Sequence, residues 1–144
     1  VDLAQVIEFI GNHPILFLAF FGTLGLLIAS EVSRRLSGIR SVGPLEATQL
    51  SNRENAVFLD IREDGEYRSG HIPEAVHIPA KQLPERAKEL ERHKGRPVIA
   101  YCRSGSRSAS AGRVLKKIGF ENVYNLGGGI MAWQNANLPL SRKT

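Results

Sequence analysis

The sequence predicts an α/β domain, a mainly parallel sheet covered by helices, preceded by one N-terminal transmembrane helix. Short, mainly apolar runs rich in strand formers, without strict alternation, recur at residues 56–61, 75–78, 97–102 and 122–126, the pattern of strands buried on both faces. Helix-like segments lie between them, and strand alternating with helix implies parallel pairing with crossovers. Residues 9–30, FIGNHPILFLAFFGTLGLLIAS, carry no formal charge apart from a protonated His13.

That uncharged stretch comes first along the chain. About 20 helical residues at 1.5 Å rise match a hydrocarbon core of about 30 Å, so the run is long enough to span a bilayer. Gly22 and Gly25 would weaken a helix in water but are tolerated in lipid, where they also permit close helix contact. A secretory signal would need a basic start and a small-x-small cleavage site, yet only Asp2 and Glu8 precede the run. A buried core helix would keep some polar stripe. Arg34, Arg35 and Arg40 follow the run and no Lys or Arg precedes it, which predicts that the C-terminal side stays in the cytoplasm. Residues 1–32 are therefore expected to anchor the chain as a single pass in the inner (cytoplasmic) membrane. Residues 33–41 read as a juxtamembrane linker of basic and turn-forming residues, and 42–144 as the globular domain, which opens on its first strand.

Within the domain, helices are expected over LEATQLSN near Glu46, LPERAKELERH near Glu85, SASAGRVLKKIGF from Ser108 and GGIMAWQNAN from Gly128. In parallel α/β sheets, ligands bind where strands end and the chain turns into the next helix. Cys102, the only cysteine, occupies such a turn, between PVIAYC and the helix expected from Ser108. The loop Cys102, Arg103, Ser104, Gly105, Ser106, Arg107 has the makings of an anion seat. Gly105 gives backbone freedom, Ser104 and Ser106 leave main-chain N–H groups uncovered, and the helix start adds its positive end. If the anion is the Cys102 sulfur, the thiolate is favoured and becomes a nucleophile, with Arg103 and Arg107 acting in the same direction. A small buried thiol closing a strand is the plainer reading of a lone cysteine. A core position, however, would not need a flexible, doubly basic sequel.

Composition narrows the classes further. A net charge of +5 arises from cations scattered among acids rather than stacked in a stripe, so no nucleic-acid partner is expected. One cysteine excludes an intramolecular disulfide, and no Cys/His spacing suits a structural metal; neither metal nor cofactor is expected.

CRSGSRS resembles the active-site loop of the rhodanese-like sulfurtransferases. LDIREDGEYRSGHIPEAVHIP, from Leu59 to Pro79, is similar to that family's signature of D-x-R, then E-[YF], then G-H-I-P-x-A. YNLGGGIMAW resembles its C-terminal motif, and Gly119 with Phe120 its usual helix end. The resemblance runs from about Ile39 to Leu140 and points to a single-domain, bacterial-type member with a membrane anchor. It implies a five-stranded parallel sheet flanked by helices, and a catalytic Cys102 that cycles between thiolate and persulfide. The donor would be a small sulfur-containing anion such as thiosulfate and the acceptor cyanide or a thiol, with membrane lipid and a membrane protein as further partners. Arg62, on the D-x-R motif, matches a residue that helps bind the anionic donor in some members, although an ion pair with Glu66 or another neighbour would also explain it. Asp60 would orient an arginine or hold structure. His71 matches a folding signature, and Met131 and Trp133 are expected to pack the last helix. Ser104 stands where some thiosulfate-specific members carry lysine, which leaves another persulfide or a protein-bound sulfane sulfur open as donor.

The same fold also houses phosphatases and arsenate reductases. Their Cys-x5-Arg loop closes around a tetrahedral oxyanion, whereas Cys102 to Arg107 is one residue shorter and position 108 is serine. A membrane-tethered binding module without catalysis is a third reading, and the intact cysteine loop speaks against it.

Overall fold

In a computed structural model, residues 2–36 and 38–143 are described, with the side chains of Arg34 and Leu36 excepted. Ser37 of the expected linker and the Arg34 side chain used in the orientation argument lie outside the described residues. The chain divides into two units, residues 1–38 and 39–144.

The first unit is two helices, α1 (Leu3–Asn12) and α2 (Pro14–Leu36). The apolar run beginning at Phe9 is thus interrupted at His13, because Pro14 has no N–H to continue a helix and sits where helices begin. One helix in the described residues is long and apolar enough to cross a membrane, over Pro14–Ser33, with none of that stretch buried. Ile15, Leu18, Phe20 and Leu26 all lie exposed along it. Helix α2 continues through residues 33–36, and the domain's first strand already takes in Arg40 and Ser41.

The second unit is the predicted parallel α/β sheet. Its strands are β1 (Arg40–Val42), β2 (Val57–Asp60), β3 (Val76–His77), β4 (Val98–Tyr101) and β5 (Val123–Leu126). They lie in the order β1-β5-β4-β2-β3, and every pairing is parallel. The helices are α3 (Pro44–Glu54), α4 (Asp64–Ser69), α5 (Leu83–Arg86), α6 (Ser106–Lys117) and α7 (Gly129–Asn135). The helix expected near Glu85 is only partly α-helical, since 3-10 turns at residues 80–82 and 87–93 flank α5.

Why the central strand β4 is apolar and buried at every position follows from two cores, one on each face. Val98, Ala100 and Cys102 join Leu59, Leu90, Leu115 and Phe120 on one side. Ile99 and Tyr101 join Phe58, Leu126, Ile130 and Trp133 on the other. Successive side chains of a strand point to opposite faces, so a strand covered on both sides needs apolar residues at every position. Each fully buried Leu or Ile contributes roughly 1.5–3 kcal/mol of transfer free energy. Trp133 packs edge-on against Phe58 and donates its indole N–H to the Pro139 carbonyl. Met131 departs from expectation: it is 46% exposed, because it falls between the buried Ile130 and Trp133 on the short α7 and so turns outward.

Central strand β4, flanked by β2 and β5, delivers Cys102 at its carboxyl end directly before α6.

Candidate active site

Helix α6 begins at Ser106, two residues earlier than expected, with Gly105 as its N-cap in a left-handed conformation at φ 100°. The first N–H groups of a helix have no partner within it, and no side chain caps this one. The Cys102 sulfur takes that place. Gly105 N–H donates to Sγ from 3.1 Å, and the neighbouring amides of Ser104 and Ser108 also favour charge on it. The Ser108 hydroxyl lies 3.5 Å from the same atom.

Electrostatically, two effects oppose each other at Cys102. Burial pushes the thiol up, while the Ser108 hydroxyl and the three amides pull it down; the donors win, and the pKa lies below an ordinary thiol's. The thiolate is thus easier to form than in an ordinary thiol, although the residue has 0% of its surface accessible. Donors fixed by the fold cost no rearrangement when charge appears on the sulfur.

Ser108 and Asn125 are the residues that sequence reasoning left out. Ser108 is fully buried, and its hydroxyl faces the Gly105 carbonyl, the Asn125 side-chain oxygen and Sγ. A hydroxyl has one proton to give, so Ser108 can turn it to the sulfur when the sulfur is charged. Asn125 donates from Nδ2 to the Gly105 carbonyl at 3.1 Å, bracing the loop from β5. The signal for Asn125 was present in the sequence, as an amide inside an apolar strand. Ser108→Ala is expected to raise the midpoint pH of Cys102 alkylation, because a donor to the thiolate is lost while burial remains. Iodoacetamide rates measured across pH would check this; an unchanged midpoint would remove Ser108 from the site.

A second device shapes the loop from below. Ile130 and Met131 at the start of α7 donate their amides to the Cys102 and Arg103 carbonyls, at 2.9 and 3.3 Å. Gly129, at φ 58°, permits this approach, since a Cβ there would overlap the Cys102 carbonyl oxygen and Arg103 backbone. Gly129 of the C-terminal motif thus lets the start of α7 brace the reactive loop.

The expected site residues separate into two groups. Arg103, Ser104, Ser106 and Arg107 are exposed around the buried Cys102, with Gly105 beneath them. Arg107 donates from Nη1 and Nη2 to the Glu66 carboxylate of α4, at 3.3 and 3.0 Å. Its guanidinium is held well charged, first by Glu66 and additionally by the Cys102 sulfur. Arg62 stands apart from this rim. It is 4% exposed and commits its Nε and Nη2 to Asp60, the shortest contact being 2.7 Å, with Nη2 also donating to the Gly70 carbonyl. The ion pair considered for Arg62 and Glu66 is therefore made with other partners, Arg62 with Asp60 and Glu66 with Arg107. For Arg62 to bind a donor it would have to leave a buried carboxylate, which is costly.

His71 is likewise held structurally. Its ring stacks on Tyr67 at 3.8 Å, its Nδ1 contacts the Tyr67 carbonyl, and its backbone pairs with Ser141. Tyr67 stacks on His77 with its other face at 4.2 Å. Among the described residues no group of His, Cys, Asp and Glu is placed to hold a metal ion.

A parallel α/β sheet with a lone cysteine seated in amide donors at the carboxyl end of its central strand defines a class of thiolate-carrying proteins. A model of the rhodanese-like domain matches residues 44–136, and the chain belongs to the rhodanese-like family. It is 33% identical over 141 residues to the uncharacterized protein YibN of Escherichia coli (strain K12), covering 97% of this chain and 99% of that protein. It is 40% identical over 92 residues to a sulfurtransferase of Allochromatium vinosum, covering 64% of this chain and 84% of that one. Among solved structures, the rhodanese-related protein from Thermoplasma volcanium superposes with a TM-score of 0.65 at 30% identity, over 72% of this chain and 99% of that one.

Proposed function

We propose that the chain is a sulfurtransferase that carries a sulfane sulfur on Cys102 and is tethered to the membrane by α2. The observation that carries this reading is the convergence of the Gly105 N–H and the Ser108 hydroxyl on one buried sulfur at a helix start, in a chain with no second cysteine. A disulfide exchanger would need a resolving thiol, whereas a persulfide carrier takes its acceptor from outside.

The steps balance as follows. The Cys102 thiolate attacks the outer sulfur of thiosulfate, forming a new S–S bond. The donor's own S–S bond breaks, and sulfite leaves with the bonding pair. Cys102 then holds a persulfide anion, whose outer sulfur would face the loop that carries Arg103 and Arg107. Cyanide or a thiolate attacks that outer sulfur and leaves as thiocyanate or a new persulfide, and the bonding pair returns to Cys102 as thiolate. Ser104 and Ser106 offer hydroxyls to the donor's oxygens, and Arg62 acts by holding Asp60 and the segment around Gly70.

The exposed apolar length of α2 supports the tether, since lipid would cover Ile15, Leu18, Phe20 and Leu26. Arg35 and Arg40 after the span support a domain on the cytoplasmic side, where thiols stay reduced.

The full chain in detergent, given thiosulfate and cyanide, is expected to form thiocyanate and to leave an aryl phosphate intact. The loop is one residue shorter than the Cys-x5-Arg loop of the phosphatases, and the residue six after Cys102 is a buried serine rather than an arginine. Turnover of the aryl phosphate without thiocyanate formation would reverse the reading.

A further inference from the structure

Cys102 is sealed from solvent, so a donor must enter past the rim formed by Arg103, Ser104, Ser106 and Arg107. Among the described residues, the ion pair tying this rim to another element is Arg107 with Glu66, which bridges α6 to α4. The Glu66 carboxylate meets both terminal nitrogens of the guanidinium, the face with which an arginine grips an oxyanion. Glu66 has a second tie besides Arg107. Its Oε2 also accepts the Glu63 N–H at 3.1 Å, closing the capping box at the start of α4. A fixed carboxylate therefore occupies the anion-binding face of an arginine that also feels the Cys102 sulfur.

We propose that Glu66 is the charge-selecting residue of this site: it withholds Arg107 from small dianionic donors and so favours donors that bring less charge to the reactive sulfur, such as alkyl persulfides. This specificity role rests on the sulfur-transfer reading. A dianion must either displace Glu66 from Arg107 or bind beside an uncompensated carboxylate, while a neutral or singly charged donor pays less of that repulsion. Glu66 is held below the usual carboxylate range, first by the Arg107 hydrogen bond, so it is charged at neutral pH. It is a positioning and selecting residue rather than a catalytic one.

Because the chain has one cysteine, alkylation reads the site without any assumption about sulfur chemistry. Full-length wild type, Glu66→Gln and Glu66→Asp in detergent would be treated with iodoacetamide, which is neutral, and iodoacetate, an anion. Glutamine keeps an oxygen for the Glu63 N–H, so α4 retains its cap. The ratio of iodoacetate to iodoacetamide rates is expected to rise about threefold to tenfold in Glu66→Gln and to stay within about twofold of wild type in Glu66→Asp. In parallel, the thiosulfate KM should fall in Glu66→Gln with kcat little changed. Acceleration of both reagents alike, or an unchanged ratio, would reduce Glu66 to a structural tie and overturn the proposal. Loss of sulfur transfer in all three proteins, with the ratio still shifted, would count against the sulfurtransferase reading and leave the charge role of Glu66 standing.

Discussion

Replacing Cys102 with serine is expected to lower thiocyanate formation by at least about 10³-fold while the domain stays folded. The thiolate is the nucleophile, and a hydroxyl does not ionise in the same seat at neutral pH. The amides of Ser104, Gly105 and Ser108 would remain, now surrounding a neutral oxygen. Serine is close in size to cysteine, so the fully buried position loses little packing, and a cost of about 1 kcal/mol is expected. Urea unfolding alongside the assay separates the two effects. Retained turnover in a folded Cys102→Ser protein would place the chemistry elsewhere.

Arg62→Ala should show the opposite profile, a large loss of stability. Asp60 is wholly buried and Arg62 nearly so, and together they form a pair with Nη2 also bonded to the Gly70 carbonyl. Removing the arginine leaves a carboxylate in the interior without its counter-charge, which costs about 3–5 kcal/mol. The Arg107 pair with Glu66 is similar on paper but partly exposed, with side chains 43% and 33% accessible; solvent screening limits its worth to about 1 kcal/mol or less. Urea titration of Arg62→Ala and Arg107→Ala should therefore differ severalfold in lost stability. Equal, small losses would mean that the Asp60 pair does not brace the fold, and would return Arg62 to the list of direct donor contacts.

Those two ion pairs also mark where the sequence was legible and where it was not. The buried strands could be read because both faces of the sheet are apolar, which leaves a pattern within a few residues. Cys102 could be read for the same reason, as the end of such a run followed by small and basic residues. The pairing of Arg107 with Glu66 spans 41 positions, and nothing local distinguishes it from the alternative with Arg62. Helix α4 was missed because six residues, DGEYRS, are too few for a helical period to show; the Glu63 and Glu66 capping box stabilises its start. Pro84 and the 3-10 turns broke a segment whose composition reads as one helix. Ser108 was visible only as a small residue at a helix start, and its contact with sulfur depends on that helix beginning two residues early.

The most direct measurement is the mass of the full-length protein after exposure to a sulfane-sulfur donor, before and after cyanide. One added sulfur located on Cys102, absent in Cys102→Ser and discharged by cyanide as thiocyanate, is the predicted result. An unmodified Cys102 after treatment with thiosulfate and with an organic persulfide alike would contradict it.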